Sequence, residues 1–145
     1  MKVKKKRDKI YEDELIKNVE KMIQVLDNYA IQSDYIFNDY LAMERALQIL
    51  VESFIGFSRY SLQMCFDQKS SKSVEALGHL YHNGVFTKNE YETYKKIVGF
   101  RNVLVHDYLN LDSAITAQIV RKKEYQKISV GLSQLQEILN KKVPD

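Results

Sequence analysis

The sequence predicts an all-α fold, an up-and-down bundle of about five helices. Helix breakers are scarce: among 145 residues there are five Gly and one Pro, and that Pro is Pro144, beside the C-terminus. Apolar residues recur three and four apart over long stretches, the period of a helix with one buried face. No stretch alternates apolar and polar residues as a half-buried strand does. The length suits one domain that buries a core without metals or disulfides. The expected division is a basic arm over 1–11 and a single helical domain over 12–142.

In the first helix Leu15, Val19, Met22, Leu26 and Tyr29 form one stripe, and Asn28 to Ser33 is the expected break, with Ser33 or Asp34 capping the next helix. The second carries Ile36, Tyr40, Met43, Leu47, Leu50, Phe54 and Phe57 on one line. A neighbouring line holds Ala42, Ala46, Ile49 and Ser53, with Val51 and Ile55 further round. A helix apolar on several sides is buried on several sides, so it is central to the bundle or also meets another subunit. After the polar run Asp67–Lys72, a short third helix starts near Ser73, with Leu77, Leu80 and Tyr81 on one face. It stops at Asn83-Gly84, where glycine permits the left-handed cap.

The fourth helix has the clearest start. Thr87 and Glu90 make a capping box, and Phe86 and Tyr91 occupy the flanking apolar positions; Tyr94, Ile97, Arg101 and Leu104 continue it towards Tyr108. The last helix is expected to run from an Asp112 cap to about Lys141, with Ile115, Ile119, Ile128, Leu132, Leu135 and Leu139 as its stripe and Gly131 weakening it slightly.

Cys65 is the single cysteine, so no intrachain disulfide forms and a reducing, cytoplasmic setting is expected. Lys2, Lys4, Lys5, Lys6, Arg7 and Lys9 crowd the N-terminus, but no apolar segment follows as in a signal peptide. No apolar run approaches the roughly 20 residues that span a bilayer, so no membrane partner is expected. The net charge of +3 sits mostly in the basic arm, which either assists nucleic-acid binding or is simply solvated.

Phosphate loops, zinc-spaced Cys/His clusters and His-Glu-x-x-His are absent. His79 and His82 lack a third ligand and read as surface histidines; Cys65 reads as structural. No metal or cofactor is expected. The stretch Gly99–Tyr108, GFRNVLVHDY, is different: it sets Arg, Asn, His, Asp and Tyr around an apolar centre. Asn102 and His106 lie one turn apart. Arg101 and His106 lie about 140° apart on an ideal helix, and converge only if the helix ends or distorts, or if Arg101 reaches across. Arginine offers a planar fork to phosphate oxygens, and histidine moves protons near neutral pH. Together they suffice for metal-free RNA cleavage, His106 taking the 2′-OH proton and Arg101 stabilising charge on the phosphate. A plainer reading stays open on spacing alone: Arg101 in a surface ion pair, and His106 as a cation on the helix dipole.

This stretch resembles the Arg-x(4–6)-His signature of the HEPN superfamily, and more narrowly the HepT toxins' Arg-x4-His-x-Tyr. Here those residues are Arg101, His106 and Tyr108, in the fuller form RN-x3-HDY. LAMER (Leu41–Arg45), Glu52 and the SVEALGHLYHNGVF stretch extend the likeness over most of 12–140. The resemblance implies a homodimer whose two Arg101/His106 sets face a shared cleft, an RNA substrate, and a type VII toxin–antitoxin role. It implies a minimal nucleotidyltransferase antitoxin as partner, which transfers AMP to Tyr108. Asn102 and Glu52 are the implied supporting residues. Gly56 departs from the pattern, which places an acidic residue one turn after Glu52. The alternative from another class is a non-catalytic helical partner of a nucleotidyltransferase, with Arg101 and His106 binding phosphate or holding a dimer.

Overall fold

The computed structural model describes residues 5–106 and 112–144, with Val105 and His106 described by backbone alone. Six helices are present among them: α1 (Lys9–Ala30), α2 (Phe37–Phe66), α3 (Ser73–His82), α4 (Lys88–His106), α5 (Ser113–Arg121) and α6 (Gln126–Lys142). The all-α class stands, with one helix more than the sequence predicts.

The extra helix comes from a break in the last predicted segment. α5 ends in two bonds, Lys123 N–H to the Val120 carbonyl and Glu124 N–H to the Ile119 carbonyl, with Lys123 in the left-handed region at φ 54°. That is a Schellman ending with lysine where glycine is usual. In retrospect the stripe marks the break: after Ile119 the next apolar positions fall in the charged run Arg121–Glu124. Tyr125, fully buried in the turn, restarts the core face, and its hydroxyl donates to Asp27 of α1.

α2 is the hub and packs on α1, α3, α4, α5 and α6. Met43, Leu47, Leu50, Phe54 and Phe57 are all buried, and so are Ala46, Val51 and Ile55 beside them, as the doubled stripe predicts. The stripe's first two residues depart from this: Tyr40 is half-buried, and Ile36 is exposed and is itself the N-cap residue, in place of Ser33 or Asp34. Isoleucine has no side-chain oxygen for the helix's first N–H groups; the Asp39 carboxylate instead accepts from Ile36's own N–H at 2.9 Å. Ser33 instead offers its carbonyl to Arg121 of α5.

Two other expected ends hold. Gly84 sits at φ 80°, with its N–H on the Tyr81 carbonyl and Val85 N–H on the Leu80 carbonyl. At α4, Glu90 N–H donates to Thr87 Oγ1 (3.1 Å), and Thr87 N–H donates to Glu90 Oε1 (2.8 Å), a complete capping box. Phe86 packs on Tyr94 rather than Tyr91, with ring centroids 4.8 Å apart, and Tyr94 meets Phe54 of α2 at 5.0 Å. Such edge-to-face pairs contribute roughly 0.5–1.5 kcal/mol each beyond their burial. Gly131 permits the third layer: a Cβ there would lie 2.7 Å from Phe54 Cε1, so its absence lets α6 close onto the ring.

The basic N-terminus is part of this architecture from Lys5 onward. Lys5 pairs with Asp67 at 2.7 Å. Arg7 is buried: it grips Glu12 through Nη2 (2.6 Å) and Nε (3.1 Å), and donates through Nη1 to Asn140 of α6 (2.7 Å). Tyr60 adds its hydroxyl to Glu12 at 2.6 Å. Burial alone would raise the Glu12 pKa, but the bonds from Arg7 and Tyr60 outweigh it and hold the carboxyl below its ordinary value.

Candidate active site on α4

The Phe54–Tyr94–Phe86 row fixes α4 against α2, and Tyr94 O–H donates to Gln134 of α6 at 2.7 Å. Arg101 lies seven residues beyond Tyr94, two turns along nearly the same face. Its Nε comes within 3.5 Å of Glu52 Oε1 on α2, with the two side chains 37% and 42% exposed. The contact is an ion pair without hydrogen-bond alignment, and Nε has no hydrogen-bond acceptor among the described residues. Glu52 therefore steers the guanidinium towards α2 without occupying it bidentately. The fork stays available to a second anion.

Gly56, one turn after Glu52, lies against α1. A Cβ there would meet Tyr11 Oη of α1 at 3.4 Å. That space belongs to the α1–α2 contact, which leaves Glu52 as the acid beside Arg101. Asn102 is exposed. The backbone remains helical through His106, so no distortion brings His106 towards Arg101 within the described part of α4. The His106 side chain, Asp107 and Tyr108 lie outside the described residues.

The residues set aside in the sequence behave accordingly. His79 is 3.6 Å from Glu75, one turn back on α3, and His82 is exposed. Burial pushes the Cys65 thiol up to about 11, which disfavours the nucleophilic thiolate. Among the described residues no three His, Cys, Asp or Glu side chains gather as metal ligands, and no helix is long and apolar enough to cross a membrane.

Sequence reasoning missed a groove of about 450 Å³ between α2, α4, α5 and α6. Leu47 and Val51 of α2, Ile97 and Phe100 of α4, and Ile119 of α5 line it, and Lys96, Lys122 and Lys127 also border it. Four helices contribute, and the recess depends on the α5–α6 break, so no linear pattern announces it.

The fold is similar to that of a tri-AMPylated HEPN toxin of Shewanella oneidensis in complex with an MNT antitoxin (TM-score 0.77, 19% identity, covering 91% of this chain and 99% of that one). It is similar to a toxin–antitoxin structure with AMP-PNP (TM-score 0.76, 19% identity, 90% and 99% covered). It is also similar to YutE of Bacillus subtilis, described as a cytosolic protein of unknown function (TM-score 0.79, 18% identity, 95% and 94% covered). At such identities the likeness establishes a HEPN-type fold. No functionally curated protein matches by sequence. The profile of the HepT-like ribonucleases matches residues 12–141, and the chain belongs to that family.

Proposed function

We propose that this chain is a metal-independent RNA endonuclease toxin, with Arg101 and His106 as its catalytic pair. The observation that carries the reading is Arg101 itself: a part-exposed guanidinium, held by Glu52 through one loose ion pair, at the arginine of an Arg-x4-His-x-Tyr stretch in a HepT-like chain. His106 takes the proton from a ribose 2′-OH, and the 2′ oxygen bonds to phosphorus as the bond to the 5′ oxygen breaks. Arg101 stabilises the charge that gathers on the phosphate oxygens. The products are a 2′,3′-cyclic phosphate and a 5′-OH, the leaving oxygen taking up a proton.

A homodimer fits the surface of α2. Phe37, Leu41, Arg45 and Glu52 follow four- and seven-residue spacing on its outer side, and Phe37 and Leu41 are 74% and 51% exposed. That stripe leads to the Glu52–Arg101 pair, as a cleft shared by two subunits requires. Leu41→Glu should therefore convert a dimer to a monomer in sedimentation; a monomeric wild type, or an undisturbed dimer, would remove this support.

Similar structures solved with an antitoxin, one of them AMPylated, support a regulatory part of this reading. A minimal nucleotidyltransferase transfers AMP to Tyr108, adding negative charge and bulk two residues from His106. Tyr108→Phe should stay toxic while escaping the modification. A folded variant that is harmless, or still silenced by AMP transfer, would refute the blocking step. The deciding experiment compares induced wild type, Arg101→Ala and His106→Ala for growth arrest and RNA cleavage in the presence of a chelator, with circular dichroism as the folding control. Cleavage by wild type alone supports the toxin. Three identical outcomes replace it with the non-catalytic nucleotidyltransferase partner.

A further inference from the structure

The lysine-bordered groove has no role in the chemistry above, yet the two helices that carry Arg101 and Glu52 also line it. Phe100 precedes Arg101 on α4, and Val51 precedes Glu52 on α2. We infer that this groove is a nucleotide subsite. It takes the unpaired base next to the phosphate held by Arg101, and that nucleotide's own phosphate rests on Lys96 and Lys122. The identity of the ligand rests on the ribonuclease reading; the groove and its charge do not.

The recess is the right size, since small-ligand sites run to roughly 300–1,000 Å³. It is mostly apolar, with the half-buried Phe100 ring as the aromatic surface on which a base stacks. Its charge is one-sided. Lys127 is neutralised by Glu124 at 2.6 Å. Lys96 and Lys122 are exposed and have no acidic partner among the described residues. An apolar pocket bordered by two uncompensated cations matches a flat ring that carries a phosphate. A partner helix would instead lay anchors over two turns of a longer trough.

The test is equilibrium binding of the full-length protein to a labelled single-stranded RNA with 2′-O-methyl groups, which lacks the attacking hydroxyl. Lys96→Ala with Lys122→Ala should weaken binding and lower the salt slope by about 0.7, one phosphate contact on a single strand. Lys17→Ala with Lys21→Ala removes the same charge from α1 and should change neither. Phe100→Leu keeps apolar bulk but loses the ring; it should weaken binding about tenfold at unchanged slope. On cleavable RNA, both groove variants should raise KM or alter base preference at the cut.

Groove variants that bind like the α1 control overturn the subsite, while RNA cleavage by wild type leaves the ribonuclease intact. Groove-dependent binding with no cleavage keeps the subsite and removes the ribonuclease. Loss of protein-partner binding alone, with RNA affinity unchanged, makes the groove a docking surface and overturns the inference. A wild type that binds no RNA overturns it too.

Discussion

Two Arg–Glu pairs sit in this molecule under opposite conditions. Arg7 and Glu12 are both buried, joined at 2.6 and 3.1 Å and further tied to Tyr60 and Asn140. Arg101 and Glu52 stand 3.5 Å apart, each more than a third exposed, with no aligned hydrogen bond. The same two residue types thus do different work. The first pair is closed: both members are engaged with neighbours that keep water out, and removing either leaves a buried charge. The second is open: its arginine is oriented but not saturated, the condition under which it can take a phosphate.

The largest effect expected from this contrast is on the closed pair. Glu12→Gln should destabilise the fold by about 3–5 kcal/mol in urea unfolding, because the buried Arg7 cation loses its carboxylate. A cost below about 1 kcal/mol would mean that the pair is no tighter than a surface bridge. Because the Glu12 pKa is depressed in the fold, its contribution is whole above the unfolded value of about 4.3 and is lost as pH falls through the folded one. The gap between wild type and Glu12→Gln should therefore narrow in acid. A gap that is constant from neutral pH to pH 3 would contradict the ionised pair.

The open pair should give the reverse pattern. Arg101→Ala should lower kcat/KM for RNA cleavage by about 10²–10³, with stability within about 0.5 kcal/mol of wild type. Substantial unfolding would place Arg101 with Arg7 as a structural residue. The smallest effect belongs to Glu52→Gln, at most about fivefold in activity, the range of an exposed pair. A loss as large as that of Arg101→Ala would make Glu52 a full participant in the chemistry.

Much of the scaffold was legible because its signals are local. Thr87 with Glu90, Asn83 with Gly84, and the doubled stripe of α2 each encode structure within a few turns. What was not legible depends on contacts between distant residues or on a residue in an unusual role. Lys123 takes a left-handed cap without being glycine, so the α5–α6 break passed as one helix. Arg7 reads as one more charge in a basic run, and only Asn140, 133 residues away, together with Tyr60, shows it to be buried. For the site, Arg101 stood out from its neighbours, but no periodicity connects it to Glu52 on another helix; that link came from the family likeness. The groove needed four helices in place.

The Arg7 contact also bears on when the protein becomes complete during synthesis. Arg7 and Glu12 leave the ribosome almost together, but Asn140 follows Arg7 by 133 residues. At roughly 5–20 residues per second, that is a delay of about 7–27 s. Over that interval the first helix carries its charge pair with one wall missing. α6 therefore seals the first helix late, only after the 133 residues that separate Asn140 from Arg7 have been added.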